Sequence, residues 1–301
     1  MIPFPSRRAA LAGLLSLPAL AQEKKKNSAA PYPPQMDGAA TEVYKKAGGV
    51  ELKLWIFRPA GHTPSKQSAA IVFFFGGGWT SGTPKQFEQH CLHLASKGMV
   101  AITADYRVAS RHKVKVVDCV RDAKSAIRYV RTNAKRLGID ANRIAAGGGS
   151  AGGHLAAATA LLPGYEEQGE NTGISSRPNA LVLFNPAVIL ADAAEADFKV
   201  SSLAGVTERM GAAPETVSPY HHVGKGAPAA IVFHGQADTT VPYRTVEAFA
   251  RKMKQAGNRC ELAGYEGQAH GFFNYGRGNN EYFEKTRERM TEFLKGLGYT
   301  S

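Results

Sequence analysis

The side chains that could do chemistry sit in a few glycine-rich stretches. Gly147-Gly148-Gly149-Ser150-Ala151-Gly152-Gly153 holds the spacing G-x-S-x-G between a short apolar run and a small-residue stretch of helical character. A serine on a strand-to-helix turn takes strained backbone angles, and glycines flank it because a Cβ would clash there. The turn lifts the hydroxyl above the carboxyl edge of a sheet, and the helix behind it points its positive end at developing negative charge. Ser150 is therefore the candidate nucleophile. A serine hydroxyl alone is weak, so a base and an orienting acid must come from elsewhere in the chain. Asp238 is the candidate acid, in His234-Gly235-Gln236-Ala237-Asp238-Thr239-Thr240-Val241-Pro242, directly after the apolar run 229–233. His270 is the candidate base, in Gly267-Gln268-Ala269-His270-Gly271-Phe272, after the last predicted strand.

Attack on a carbonyl also needs hydrogen-bond donors that cost no reorganisation when charge appears, which backbone amides provide. Ala151, next to the nucleophile, offers one. Gly77 and Gly78, in Gly76-Gly77-Gly78-Trp79 after the apolar run 69–75, offer others, and Trp79 is placed to wall the acyl side of a pocket. A phosphate loop of the form G-x-x-x-x-G-K-[ST] is absent. The dinucleotide spacing G-x-G-x-x-G does fit Gly147, Gly149 and Gly152, but at least three predicted strands precede it, and the first acids downstream, Glu166 and Glu167, fall in a loop. Neither a cofactor nor a metal is expected. His154 and His234 read as supports of their own turns, whereas His221 and His222 could touch substrate.

These groups need a scaffold that brings strand ends together. Residues 50–57 alternate apolar and polar, as a strand with one exposed face should. Residues 69–75 are apolar throughout, which suits a strand buried on both faces, 99–105 is a second buried run, and 180–184 and 229–233 continue the series. Runs 143–146 and 260–265 continue the series, with helices predicted over 84–97, 113–137, from about 150, over 243–255 and over 279–295. Alternation of this kind demands a mainly parallel sheet covered by helices on both faces, an α/β fold. The pattern breaks over 186–223, which reads as a short inserted lid. Its large apolar side chains are few (Val188, Ile189, Leu190, Phe198, Leu203 and Met210), so the acyl chain it can cover should be short.

The N-terminus reads as an address. Arg7 and Arg8 precede the run AALAGLLSLPALA, residues 9–21, which ends in Ala19-Leu20-Ala21 and is too short for a bilayer span. It reads as an export signal, of twin-arginine type, cleaved after Ala21. No cysteine stands at that point, so no lipid anchor is expected, and the protein is read as periplasmic or secreted. Residues 22–47 read as a linker or surface arm and 48–301 as the folded domain. Over 301 residues, 44% apolar and 21% charged is ordinary globular composition. The net charge of +12 comes without the basic-aromatic interleaving of a nucleic-acid surface, so no nucleic-acid partner is expected. The three cysteines (Cys91, Cys119 and Cys260) form no C-x-x-C pair, and in an oxidising compartment their odd number leaves at least one thiol free unless chains cross-link.

With these residues placed, the chain resembles the α/β-hydrolase esterases over roughly residues 45–296. Gly-Gly-Gly-Trp (76–79), Asp105-Tyr106-Arg107, GGSAGGHLA (148–156), SPYHHV (218–223), HGQADTTVP (234–242) and AHGFF (269–273) fall in order. It is most similar to the bifunctional acetylxylan and feruloyl esterase-like (BD-FAE-like) group, near the hormone-sensitive-lipase esterases. The resemblance implies the α/β-hydrolase fold and hydrolysis of short or carbohydrate-linked acyl esters, acetyl or feruloyl. It assigns a triad to Ser150, Asp238 and His270, and oxyanion donors to Gly77, Gly78 and Ala151. One departure is visible: these families commonly place His before the three glycines, and Phe75 stands there instead. Alternative readings are a serine peptidase of prolyl-oligopeptidase type, a short-chain lipase, or a binding module that has lost its chemistry.

Overall fold

β-Branched and aromatic residues run together in strands such as 69–74, 180–184 and 229–233, and these apolar runs lie inside the sheet. The computed structural model describes residues 31–199 and 206–300, so the segment 1–21 read as an export signal lies outside the described residues. The chain divides into a unit Met1–Tyr32 and a unit Pro33–Ser301, and the second carries the fold. Its strands are β1 (Ala39–Ala47), β2 (Val50–Phe57), β3 (Ser68–Phe74), β4 (Val100–Ala104), β5 (Ile139–Gly149), β6 (Ala180–Phe184), β7 (Ala229–Gly235) and β8 (Cys260–Tyr265). They make one eight-stranded sheet in the order β1-β2-β4-β3-β5-β6-β7-β8. Only the β1–β2 and β2–β4 pairings are antiparallel, so β3 to β8 run parallel and end on one edge.

The period of two along each strand divides the core into two layers. In β3, Ala70, Val72 and Phe74 face one layer, which also holds side chains of α3 (Val116–Thr132), α5 (Ala151–Leu161) and α7 (Tyr243–Gln255). Ala69, Ile71 and Phe73 face the other, packed with Leu94 of α1 (Glu88–Ser96) and Phe293 of α8 (Glu281–Lys295). This is the mainly parallel, doubly covered sheet of the α/β-hydrolase fold.

The arm read over 22–47 is corrected at its end, because residues 39–47 form edge strand β1, zipped to β2 from Ala39 opposite Phe57 to Ala47 opposite Val50. Its lysines hid it. Lys45 is buried, and Nζ lies 2.7 Å from the buried carboxylate of Asp122, a partner far along the chain. The helix expected over 113–137 breaks at Asn133, leaving α3 and a short α4 (Ala134–Leu137). The first of these is preceded by a four-residue α2 (Ala109–His112). The last helix starts at Glu281, two residues late, because Asn279 and Asn280 take positive φ.

Between 186 and 223 the described residues make turns and the short α6 (Val206–Met210), and Leu203 lies outside them. Tyr220 N donates to Val188 O at 2.9 Å and Leu190 N to Ser218 Oγ at 3.0 Å within this segment, and Ala187 N, donating to Ser150 O at 3.3 Å, ties it to the turn after β5. All three cysteines are buried and free, and burial pushes their thiols up, that of Cys260 to about 12. Among the described residues no helix is long and apolar enough to cross a membrane.

His90 of α1 stands in the core with neither ring nitrogen hydrogen-bonded. The rings of Phe73, Phe87, Phe184, Phe273 and Phe283 surround it, with centroids 4.9–6.3 Å away. Burial lowers its pKa to about 3 and that of buried His154 to about 4. Above pH ~6.5 both are neutral whether folded or not, and contribute no pH dependence. Between there and about pH 4 the unfolded chain takes up protons that the fold refuses, so stability falls as pH falls. Melting temperature is expected to be flat above pH 7 and to drop steadily towards pH 4. His90→Phe should lessen that drop, and equal slopes for variant and wild type in thermal melts at pH 4.5 and 7.5 would refute the assignment.

Candidate active site

The turn from β5 into α5 places Ser150. Its φ of 54° and ψ of −119° lie in a region that side chains seldom adopt. The conformation is held by Ser150 N donating to Phe184 O of the adjoining strand at 2.8 Å, and by Ser150 O accepting from His154 N at 3.0 Å. The helix must leave so close to β3 that a Cβ on Gly152 would overlap the carbonyl oxygens of Phe74 and Phe75. That is why the sequence carries glycine there.

Loops after β7 and β8 bring up the other two groups. His270 Nε2 lies 2.9 Å from Ser150 Oγ, and His270 Nδ1 lies 2.7 Å from Asp238 Oδ2. An ionised carboxylate only accepts, so Nδ1 carries the proton and Nε2 is left to accept from the serine. Burial alone would raise the Asp238 pKa. Hydrogen bonds from His234 and His270 and from the backbone amide of Val241 outweigh it and hold this carboxyl well below the usual carboxylate range. Asp238 Oδ1 also accepts from Thr240 N at 2.9 Å.

Sequence reasoning missed Asn185, which follows β6 at the same edge. Its Nδ2 donates to Asp238 Oδ2 at 3.0 Å, while Oδ1 accepts from Gly271 N at 3.2 Å, joining the acid's loop to the base's loop. An asparagine straight after a buried strand was the available signal. His234 does support its own turn, through Nε2 and Val241 O at 2.8 Å, but it also approaches Asp238 Oδ2 at 3.2 Å. His154 reaches much further than its turn. Trp79 Nε1 donates to its Nδ1 at 3.1 Å, so Nε2 carries the proton towards Val217 O at 2.8 Å.

The glycine loop after β3 is rigid on its outer side. Gly77 O accepts from Thr80 N and Ser81 N, both at 3.0 Å, which fixes the peptide plane whose other end is the Gly78 N–H. Gly77 has φ of 121°, open to glycine alone. The amides of Gly77, Gly78 and Ala151 donate no hydrogen bond among the described residues, and these residues border the cavities around Ser150.

Phe75, in the place where the resemblance leads one to expect histidine, is buried and stacks on Tyr106 with centroids 4.1 Å apart, and Tyr106 OH donates to Phe75 O at 2.7 Å. A second brace comes from Gln86. Gly76 N donates to Gln86 Oε1 at 2.6 Å, Gln86 Nε2 donates to Asn274 Oδ1 at 2.8 Å, and Asn274 Nδ2 donates to Gly271 O at 2.9 Å. The glycine loop is thus tied to the His270 loop without the usual histidine.

Two spaces open from Ser150. A narrow apolar cavity of about 160 Å³ lies between Gly78, Trp79 and Ala151 on one side and Ile189, Leu190 and Phe198 of the lid on the other. A wider open cleft of about 480 Å³ holds His270, Gln86 and Asn274. His221 and His222 border neither. His221 bonds to Ser218 Oγ and Asp192 O, and His222 to Glu215 O, so both hold the lid together. Among the described residues no group of acids, histidines and cysteines could hold a metal.

A serine on this turn, with a histidine and an aspartate from later strand ends, is the arrangement of an α/β-hydrolase. Comparison with known proteins narrows the class: the profile of the BD-FAE family matches residues 54–253, and the chain belongs to that family of α/β-hydrolase esterases. The apo form of Thermogutta terrifontis esterase 2 is 54% identical, with a TM-score of 0.86, over 90% of this chain and 99% of that one. Esterase LipC of Mycobacterium tuberculosis is 29% identical over 69% of this chain and 54% of its own length. Isoprenylcysteine alpha-carbonyl methylesterase ICME of Arabidopsis thaliana is 28% identical over 66% of this chain and 49% of its own. The chain spans about half the length of the curated relatives it matches.

Proposed function

We propose that this chain hydrolyses short-chain carboxylic esters through an acyl-enzyme on Ser150. The observation that carries the reading is the unbroken hydrogen-bond chain from Ser150 Oγ through His270 to Asp238. Ser150 Oγ attacks the ester carbonyl while His270 Nε2 takes its proton, and Asp238 stabilises the imidazolium that results. The amides of Gly77, Gly78 and Ala151 receive the oxyanion. Collapse breaks the bond to the alcohol oxygen, which receives the proton from His270. Water, activated by the same nitrogen, then releases the acid and restores the serine.

The proton donor fixes the sides. The leaving alcohol must lie on the side that His270 lines, the open cleft, which leaves the narrow cavity for the acyl chain. The wide alcohol side leaves room for a bulky alcohol such as a sugar, with Gln86 and Asn274 at hand as polar partners. The acyl side is small: an apolar cavity near 150 Å³ holds about six carbon atoms. An acetyl to butyryl tail fits, whereas a feruloyl tail needs about twice that room. Thermogutta terrifontis esterase 2 has been solved with propionate and with butyrate bound, in line with a short acyl group.

On p-nitrophenyl esters kcat/KM is expected to peak between acetyl and butyryl and to fall about tenfold or more by octanoyl. Each further buried CH₂ gains about 0.8 kcal/mol only where apolar wall exists to cover it. A maximum at decanoyl would replace this reading with a lipase. Export remains part of the proposal through residues 1–21, and sequencing the secreted protein should give Gln22 first.

A further inference from the structure

The acyl cavity is mostly apolar, and a single charged side chain lines it. Arg209, on α6 of the lid, lines it together with Trp79 and Phe198. Its Nη2 donates to Gly78 O and lies 3.2 Å from Thr80 Oγ1, and its guanidinium carbon sits 5.7 Å from the Trp79 ring centroid. The hydrogen bonds of Arg209 among the described residues both come from Nη2, and none goes to a carboxylate. Behind it a second cavity of about 190 Å³ shares Trp79 and Arg209 and adds Lys113 and Lys115. No acidic side chain lines either cavity.

A short acyl tail with a methyl end would lie against an unpaired guanidinium, gaining little apolar burial and costing the cation its water. A tail that ends in a carboxylate would meet a planar fork whose geometry matches it, with Lys113 and Lys115 reinforcing the positive potential. We propose that Arg209 binds a carboxylate at the far end of the acyl group, making half-esters of short dicarboxylic acids a preferred substrate class. The proposal rests on the Ser150 esterase reading and on the narrow cavity being the acyl side. Size agrees. Beyond its reacting carbonyl a succinyl group adds two methylenes and a carboxylate, within the roughly six heavy atoms that such a cavity holds. Reach agrees as well, since Arg209 touches the carbonyl of Gly78, whose own amide is a proposed oxyanion donor. The reaction stays ester hydrolysis: water adds to the acyl carbonyl, the bond to the alcohol oxygen breaks, and a dicarboxylate and the alcohol leave.

The test compares monoethyl succinate with ethyl 4-methylpentanoate, in which an isopropyl group replaces the carboxylate, by ethanol release. p-Nitrophenyl butyrate serves as the control for the esterase reading. Wild-type kcat/KM is expected to favour the charged ester by about tenfold or more, as hydrogen bonds to charged groups allow. Arg209→Met should reverse the preference, and Arg209→Lys should keep part of it. Arg209 also touches the glycine loop, so either variant is expected to lose some rate on every ester. A purely structural role would lower both esters together and leave their ratio unmoved. The proposal is overturned if wild type prefers the neutral ester, or if Arg209→Met leaves the ratio unchanged, while p-nitrophenyl butyrate is turned over. Failure on p-nitrophenyl butyrate as well would overturn the esterase reading itself.

Discussion

Ser150→Ala is expected to reduce kcat on p-nitrophenyl butyrate by about 10⁴-fold or more while leaving the fold intact. The hydroxyl is the only atom removed, and it is the atom that would form the acyl bond, so no neighbouring group can stand in for it. What survives is the contribution of the oxyanion amides and of binding, about 10³–10⁴-fold over water. The backbone does not care about the change. Alanine keeps the same Cβ at φ of 54°, and the bonds from Ser150 N to Phe184 O and from His154 N to Ser150 O use main-chain atoms. Melting temperature should therefore stay within a degree or two, corresponding to about 0.5 kcal/mol. Initial rates and thermal melts on the same preparation decide it. More than about a tenth of wild-type activity in a folded variant would remove Ser150 from the nucleophile's role.

Asp238→Asn is expected to cost a comparable amount, about 10⁴-fold in kcat with little change in KM, for a subtler reason. Oδ1 accepts from the amides of Thr240 and Val241, both at 2.9 Å, so the amide oxygen of an asparagine would take that position. Its NH₂ would then occupy the place of Oδ2, which accepts from Asn185 and His270. A donor facing His270 Nδ1 forces the imidazole into the other tautomer, with the proton on Nε2. That nitrogen can no longer accept from Ser150 Oγ, and the base is disabled although every heavy atom stays near its place. The unmatched donors at a buried site should also lower stability by about 1–3 kcal/mol. Steady-state kinetics on Asp238→Asn with p-nitrophenyl butyrate measure the loss. A variant with kcat within tenfold of wild type would mean that the aspartate neither orients nor stabilises the histidine.

How far these residues could be read before the fold was known depends on the range over which their constraints act. Ser150 and Asp238 each follow an apolar run that reads as a buried parallel strand and stand where it gives way to glycine or a polar turn, whereas His270 follows the mixed run 260–265, an edge strand carrying Glu261. Gly77 and Gly78 were legible for the same reason. The chain's own backbone must turn sharply there, and a side chain would block it. The edge strand β1 was not legible, since its buried lysine looks like a solvated one until Asp122 arrives from α3. Nor were Gln86 and Asn274, which are 188 residues apart and ordinary in themselves, yet join the oxyanion loop to the base's loop. His90 gave no sign of being a core residue without a hydrogen-bond partner, because the phenylalanines around it come from four different elements and the loop after β8.

The sequence by itself determined the parallel α/β architecture, the places of Ser150, Asp238 and His270 after the strands that become β5, β7 and β8, and the glycine loop after β3. Periodicity, burial and backbone clearance are properties of neighbours along the chain, so composition over a few residues records them. Tertiary structure alone decided the tautomer of His270, the brace that Gln86 and Asn274 give the glycine loop, the width of the narrow cavity beside Ser150 and the placing of Arg209 against it. Each of these depends on polar atoms from distant segments meeting within about 3 Å, a distance that strand register and loop path set together and that no local pattern encodes.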